Sequence, residues 1–248
     1  MKKHIDFGII ETWPDNLKRL VFDFSEEISS EKKADWENIL AGKAHYNIIP
    51  MPTFDRVKSE IEELLIGSSA LAWHCTKLVN PERIRSEGLR PFSVKLIKEL
   101  IKFDLSHIFS VKEQDLILKK IDKHNRSGLF DGRSNQLWFL LNREMWSDIG
   151  CREFFDFFGG EALRKVIESE LPEYLPFLKK VGEPYLLEFP VKLKHIASYQ
   201  ISHLTDELIN FGINTMTGEL EPYIFAEGRV YEKIPSAKFI KLSSFNEI

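Results

Sequence analysis

Cysteine is nearly absent from this sequence. Two residues in 248, Cys75 and Cys151, stand far apart, and neither belongs to a Cys-x-x-Cys pair. That excludes a disulfide scaffold and makes a reducing cytoplasm the expected compartment. No cluster of cysteine and histidine has ligand spacing, so no metal is expected. No glycine-rich phosphate loop is present, which leaves a Rossmann site and a nucleotide-triphosphate loop without support. Long apolar runs are missing as well. The stretch around Leu137 to Leu141 is far shorter than the roughly 20 residues of a membrane helix, so no membrane partner is expected. Asp6, Glu11 and Asp15 interrupt the N-terminus where a secretory signal needs an apolar run. Positive charge is not in excess: 34 Lys+Arg against 38 Asp+Glu leave a formal charge of −4. A generic polyanion binder would usually be net positive, so nucleic acid is not indicated by charge, although a local basic patch is compatible with mild acidity.

What is present is an ordinary globular composition, 43% hydrophobic and 29% charged. It is too apolar for a disordered chain and sufficient for a real core. Leu17, Leu20, Val21 and Phe24 recur at helical spacing, as do Trp36, Ile39 and Leu40. Pro50, Met51, Pro52 and Thr53 break the chain. Phe54, Val57, Ile61, Leu64 and Leu65 then share one face of a stronger helix. SALAWHCTKL (69–78) reads as a buried strand. NPERIRSEGL follows, with Asn80 as N-cap, Pro81 at the first helical position and Gly88 as the stop. Ser93 begins another helix and a further pattern runs from Val111 to about Ile121. QLWFLLN and PYLLEFPVKL read as strands, with helical patterns between and after them. YIFAEGRVYEKI and AKFIKL read as two further strands. The order is that of an α+β protein, not of regular βαβ alternation.

His74 and Thr76 point together on their strand, with Cys75 facing away. A ring nitrogen beside a hydroxyl suits a sugar or a carboxamide better than a metal. With Ile84, Gly88 and Leu89 at their spacing, this segment resembles the first motif of the ADP-ribosyltransferase fold. There an early strand carries a His, then a small residue and a Thr, followed by a short helix ending in Gly-Leu. The resemblance implies that His74 contacts a ribose of NAD, with the backbone of Cys75 and the side chain of Thr76 beside it. The second motif of that fold is an aromatic on a central strand, and Trp138 or Phe139 would stack on nicotinamide. The third is an acid ahead of an Ile-Pro strand end, and YIFAEGRVYEKIPSAKFIKL resembles the closing segment of bacterial ADP-ribosyltransferases. Glu227 takes the acid's place, with Tyr223, Phe225, Arg229 and Tyr231 on its face. A second candidate acid is Glu161 in Phe-Gly-Gly-Glu-Ala, which resembles a Gly-Gly-Glu stretch in bacterial proteins that share the His-Cys-Thr segment. Arg133 and Arg90 are candidate cations for a pyrophosphate.

The resemblance thus implies an ADP-ribosyltransferase-like split mixed or antiparallel sheet with flanking helices over 67–248, and a helical N-terminal extension over 1–66. It implies an enzyme that consumes NAD as substrate, an ADP-ribosyltransferase or an NAD glycohydrolase, with an unidentified macromolecular acceptor if it transfers. Toxin, defence or effector biology is a further implication. Two alternatives accompany it. One is an interaction module on the same scaffold without catalysis. The other is an RNA 2′-phosphotransferase-like enzyme, although Trp73 stands where those enzymes pair an Arg with the His.

Overall fold

The computed structural model describes residues 4–41, 50–147, 149–218, 223–236 and 241–244. In chain order the helices are α1 (Asp15–Phe22), α2 (Ser25–Leu40) and α3 (Pro52–Ile66), before strand β1 (Ser69–Leu78). Then come α4 (Pro81–Glu87), α5 (Val94–Phe103), α6 (Val111–Arg126) and β2 (Leu137–Leu140). The chain continues through α7 (Ile149–Asp156), α8 (Gly160–Glu170), α9 (Leu175–Lys180) and β3 (Glu183–Lys192). It closes with α10 (Ser198–Thr217), β4 (Glu227–Val230) and β5 (Lys241–Ser244). Helices dominate and the strand pairings are antiparallel, so the class is α+β as expected. The five strands form one sheet in the order β4-β2-β1-β3-β5, where the resemblance implied a split sheet. Segment 237–240, the first part of AKFIKL, lies outside the described residues.

The chain divides into two compact units, and the division is not the one expected at residue 66. The first comprises residues 1–71, 141–143 and 191–228. It is a helical unit in which α10, from late in the chain, packs on α1, α2 and α3. The expected N-terminal extension is therefore only part of a unit that α10 completes. Ile201, Leu204 and Leu208 of α10 are buried, as are Leu17, Leu20, Val57, Ile61 and Leu65. The 3.6-residue period puts those apolar positions on one stripe of each helix. Trp36, Ile39 and Leu40 do lie on a helix, but they are exposed. The end of α2 is not in the core, and Ser25 and Ile28 anchor that helix instead. The start of α3 has no cap of its own. Glu31 of α2 supplies one, accepting from the backbone N–H groups of Thr53 and Phe54 at 2.9 Å each. Burial would raise the Glu31 carboxyl, yet the two backbone donors outweigh it and hold it below the usual range.

The second unit comprises residues 72–140, 144–190 and 229–248. It holds most of the sheet and α4 through α9. Ile97, Ile101, Ile117, Ile121, Phe130, Phe158, Leu163 and Val166 form its helical core. Asn80 accepts from the N–H of Glu82 as the N-cap of α4, and Ser93 from that of Leu96 at α5. The Asn80 cap is the one expected from the sequence, while Ser93, expected to begin its helix, is instead the cap of a helix that starts at Val94. Ser110 and Glu113 cap α6 reciprocally as a capping box. Glu170 of α8 is held by Lys120 and Lys123 of α6, at 2.6 Å each. Those two ammonium groups hold its carboxyl down at about 2.

Candidate functional site

Of the candidate residues in the second unit, His74, Cys75 and Thr76 lie on β1 and Trp138 and Phe139 on β2, whereas Glu227 belongs to the first unit. On β1, Ala72, Trp73, Cys75 and Lys77 are buried while His74 and Thr76 are half-buried, so His74 and Thr76 share a face as expected. The His74 Nδ1 lies 2.7 Å from the backbone carbonyl of Trp138. A carbonyl only accepts, so Nδ1 carries the proton and Nε2 keeps a lone pair while the ring is neutral. Burial pushes the imidazole below its ordinary value, and the hydrogen bond to Trp138 opposes this without overcoming it. His74 is therefore a neutral, oriented acceptor near pH 7.

The loop after α4 is shaped by one glycine. Gly88 has φ of 81°, and a Cβ there would run into the carbonyl oxygen of Ile234. Its neighbour Leu89 exchanges both backbone hydrogen bonds with Ile234, at 2.9 Å each. The Gly-Leu of the first motif thus pairs with the Ile-Pro of the last. Two distant stretches singled out by resemblance are neighbours here.

The aromatics divide in role. Phe139 is buried and packs edge-on against Phe189 at 5.7 Å between ring centroids, which makes it core. Trp138 is half-buried and donates from Nε1 to the Gln136 side-chain oxygen at 2.9 Å. The Arg229 guanidinium lies over the Trp138 ring at 5.3 Å and over the Tyr231 ring at 5.7 Å. It also donates to Gln136 at 3.1 Å. Gln136, Trp138, Arg229 and Tyr231 thus form a connected polar and aromatic cluster. Trp138, Arg229 and Tyr231 were expected from the sequence, but not Gln136 or the stacking of Arg229 on Trp138, which depends on β4 lying beside β2.

Along β4 the expected alternation holds. Ile224, Ala226, Gly228 and Val230 are buried, while Glu227 and Arg229 are half-buried on the opposite side of the strand. Strand hydrogen bonding itself covers only Glu227–Val230, shorter than the sequence suggested. The helical unit holds the approach to this strand, with Leu141 N–H donating to Ala226 and the Asn142 amide to Ile224.

Glu161 and Arg133, two candidates chosen independently, are ion-paired with each other. Lys165, one turn along α8, also pairs with Glu161, at 2.5 Å. Both have a structural occupation: Glu161 sits in the first turn of α8, where a carboxylate complements the helix dipole, and two cations already neutralise it. Arg90 is likewise engaged by Glu99 at 2.8 Å. Among the described residues no group of three or more His, Cys, Asp or Glu side chains is placed to hold a metal. Among them, no helix is long and apolar enough to cross a membrane. Comparison of the chain with protein-family models, with curated proteins and with solved structures found no match.

Proposed function

We propose that the chain binds NAD against β1 and cleaves the bond between nicotinamide and ribose, as an ADP-ribosyltransferase or an NAD glycohydrolase. The observation that carries this reading is the pairing of Leu89 with Ile234, which joins the two segments that resemble that family. The state of His74 supports it. A neutral imidazole with Nδ1–H tied to Trp138 presents Nε2 as an acceptor for a ribose hydroxyl. The register that sets Trp73 opposite Leu140 places Trp138 across from Cys75, on the other face of the sheet from His74, while Phe139, on the face of His74, is buried in the core, so neither aromatic is assigned to the nicotinamide ring.

In this chemistry the C–N bond breaks and nicotinamide leaves with the electron pair. The ribose carbon becomes cationic and is attacked by water or by an acceptor nucleophile. A carboxylate aimed at the developing charge lowers the barrier. Glu161 is neutralised by Arg133 and Lys165. The resemblance of the closing segment, not its surroundings, assigns this role to Glu227, two positions before Arg229 on β4. The test is release of nicotinamide from NAD by the purified chain, followed by chromatography. His74→Ala and Glu227→Gln each should reduce release at least 100-fold, about the range of one oriented transition-state group, and Glu161→Gln should leave it within a few fold. No release, together with no thermal shift on adding NAD, overturns the reading.

A further inference from the structure

One side of α10 takes no part in the core of the helical unit. Tyr199, His203 and Glu207 recur every fourth residue and so lie along one side of that helix. The extended segment ahead of β4 packs against it. The Phe225 N–H donates to Glu207 Oε2 at 3.2 Å, and the Phe225 ring meets the His203 ring edge-on, at 6.3 Å between centroids. Ile224 and Ala226 are buried, which turns Tyr223 and Phe225 outward together. Tyr199, Tyr223 and Phe225 are 54%, 41% and 42% exposed, so three large rings of one unit face solvent. A cluster of that kind marks an interaction surface more often than a lone exposed ring does.

Glu207 decides what the surface fits. Among the described residues no cation pairs with it, and the Phe225 N–H occupies only one of its two oxygens. The lysines nearest along α10 are engaged elsewhere: Lys58 by Asp206 and Lys32 by Asn210, at 2.7 Å each. Ring faces are electron-rich, and beside a carboxylate without a cation they favour a positive group. The chain fills the same combination once from within. The Arg164 guanidinium lies over the Phe157 ring at 5.3 Å and pairs with Glu153 at 2.5 Å.

We propose that this face of α10, with Tyr223 and Phe225, docks an arginine-bearing segment of a partner protein. The planar guanidinium stacks on an exposed ring and donates to Glu207 Oε1. Lysine carries the same charge but has no flat face to stack. The surface requires no NAD chemistry. The probe is a fluorescent peptide of alternating arginine and glycine, followed by anisotropy with the full-length chain at physiological salt. It should bind about tenfold tighter than the matching lysine–glycine peptide. Glu207→Gln should weaken binding about tenfold, and Tyr199→Ala and Phe225→Ala about threefold each. Glu173→Gln, which removes an exposed carboxylate of the other unit, should leave it unchanged and controls for the net charge of −4. Unaltered thermal midpoints show that the variants fold. Equal binding of the two peptides overturns the proposal, as does an equal effect of Glu207→Gln and Glu173→Gln, or no binding. Self-association of the chain that Glu207→Gln abolishes without peptide would make the occupant a second copy and overturn it too.

Discussion

His74 carries the clearest consequence at the scale of one residue. Its imidazole is depressed below its ordinary value by burial, so the unfolded chain binds a proton more readily than the folded one. Stability therefore rises with pH through this window. It is complete above the unfolded value of about 6.5, and it is lost as pH falls from there toward the lowered folded value. Urea midpoints measured between pH 7.5 and pH 5 should fall with acidification, and His74→Gln should remove part of that fall. A midpoint equally pH-dependent in the variant would show that His74 is not the titrating group. The neutral state also bears on function, since protonation would convert Nε2 from an acceptor into a donor. Binding of NAD, if measured over the same range, should weaken together with stability.

Elements were legible in the sequence wherever a local signal set them. The Asn80 cap, Pro81 and Gly88 bounded α4 because each satisfies a backbone requirement within a few residues. The alternation around Glu227 was legible because a strand has a period of two. What could not be read were events between elements. Trp36, Ile39 and Leu40 have helical spacing, but spacing does not say whether another element covers the face. The Glu31 cap on α3 and the ion pair of Arg133 with Glu161 join residues more than 20 positions apart. No local pattern records them. The packing of α10 gives a sharp case. A Cβ on Gly212 would collide with the backbone carbonyl of Val21 and lie 2.8 Å from the Ser25 hydroxyl oxygen. Alanine would gain about 1 kcal/mol in helix propensity. Overpacking against a backbone atom costs about 1–3 kcal/mol or more. The clash with a backbone atom, at the upper end of that range, outweighs the propensity gain, and Gly212→Ala should destabilise the chain by up to about 2 kcal/mol in urea unfolding. A stabilised variant would show that α10 is free to move away from α1.

Across the whole molecule, the helical unit is assembled from both halves of the sequence. Residues 1–71 supply three helices, and residues 191–228 supply α10, which covers their apolar faces. A fragment of residues 1–71 should therefore be weakly helical and expose apolar surface to a dye such as ANS. Adding a peptide spanning 191–228 should raise the helical circular dichroism signal beyond the sum of the parts. Simple additivity would mean that the first three helices are self-sufficient. The same architecture has a consequence in time. The chain from 67 to 197 must be made before α10 begins at Ser198. At roughly 5–20 residues per second, the wait is on the order of ten seconds. During synthesis Leu17, Val57, Ile61 and Leu65 face that interval without their partner helix, which makes the nascent N-terminal segment a client for whatever shields apolar surface at the ribosome.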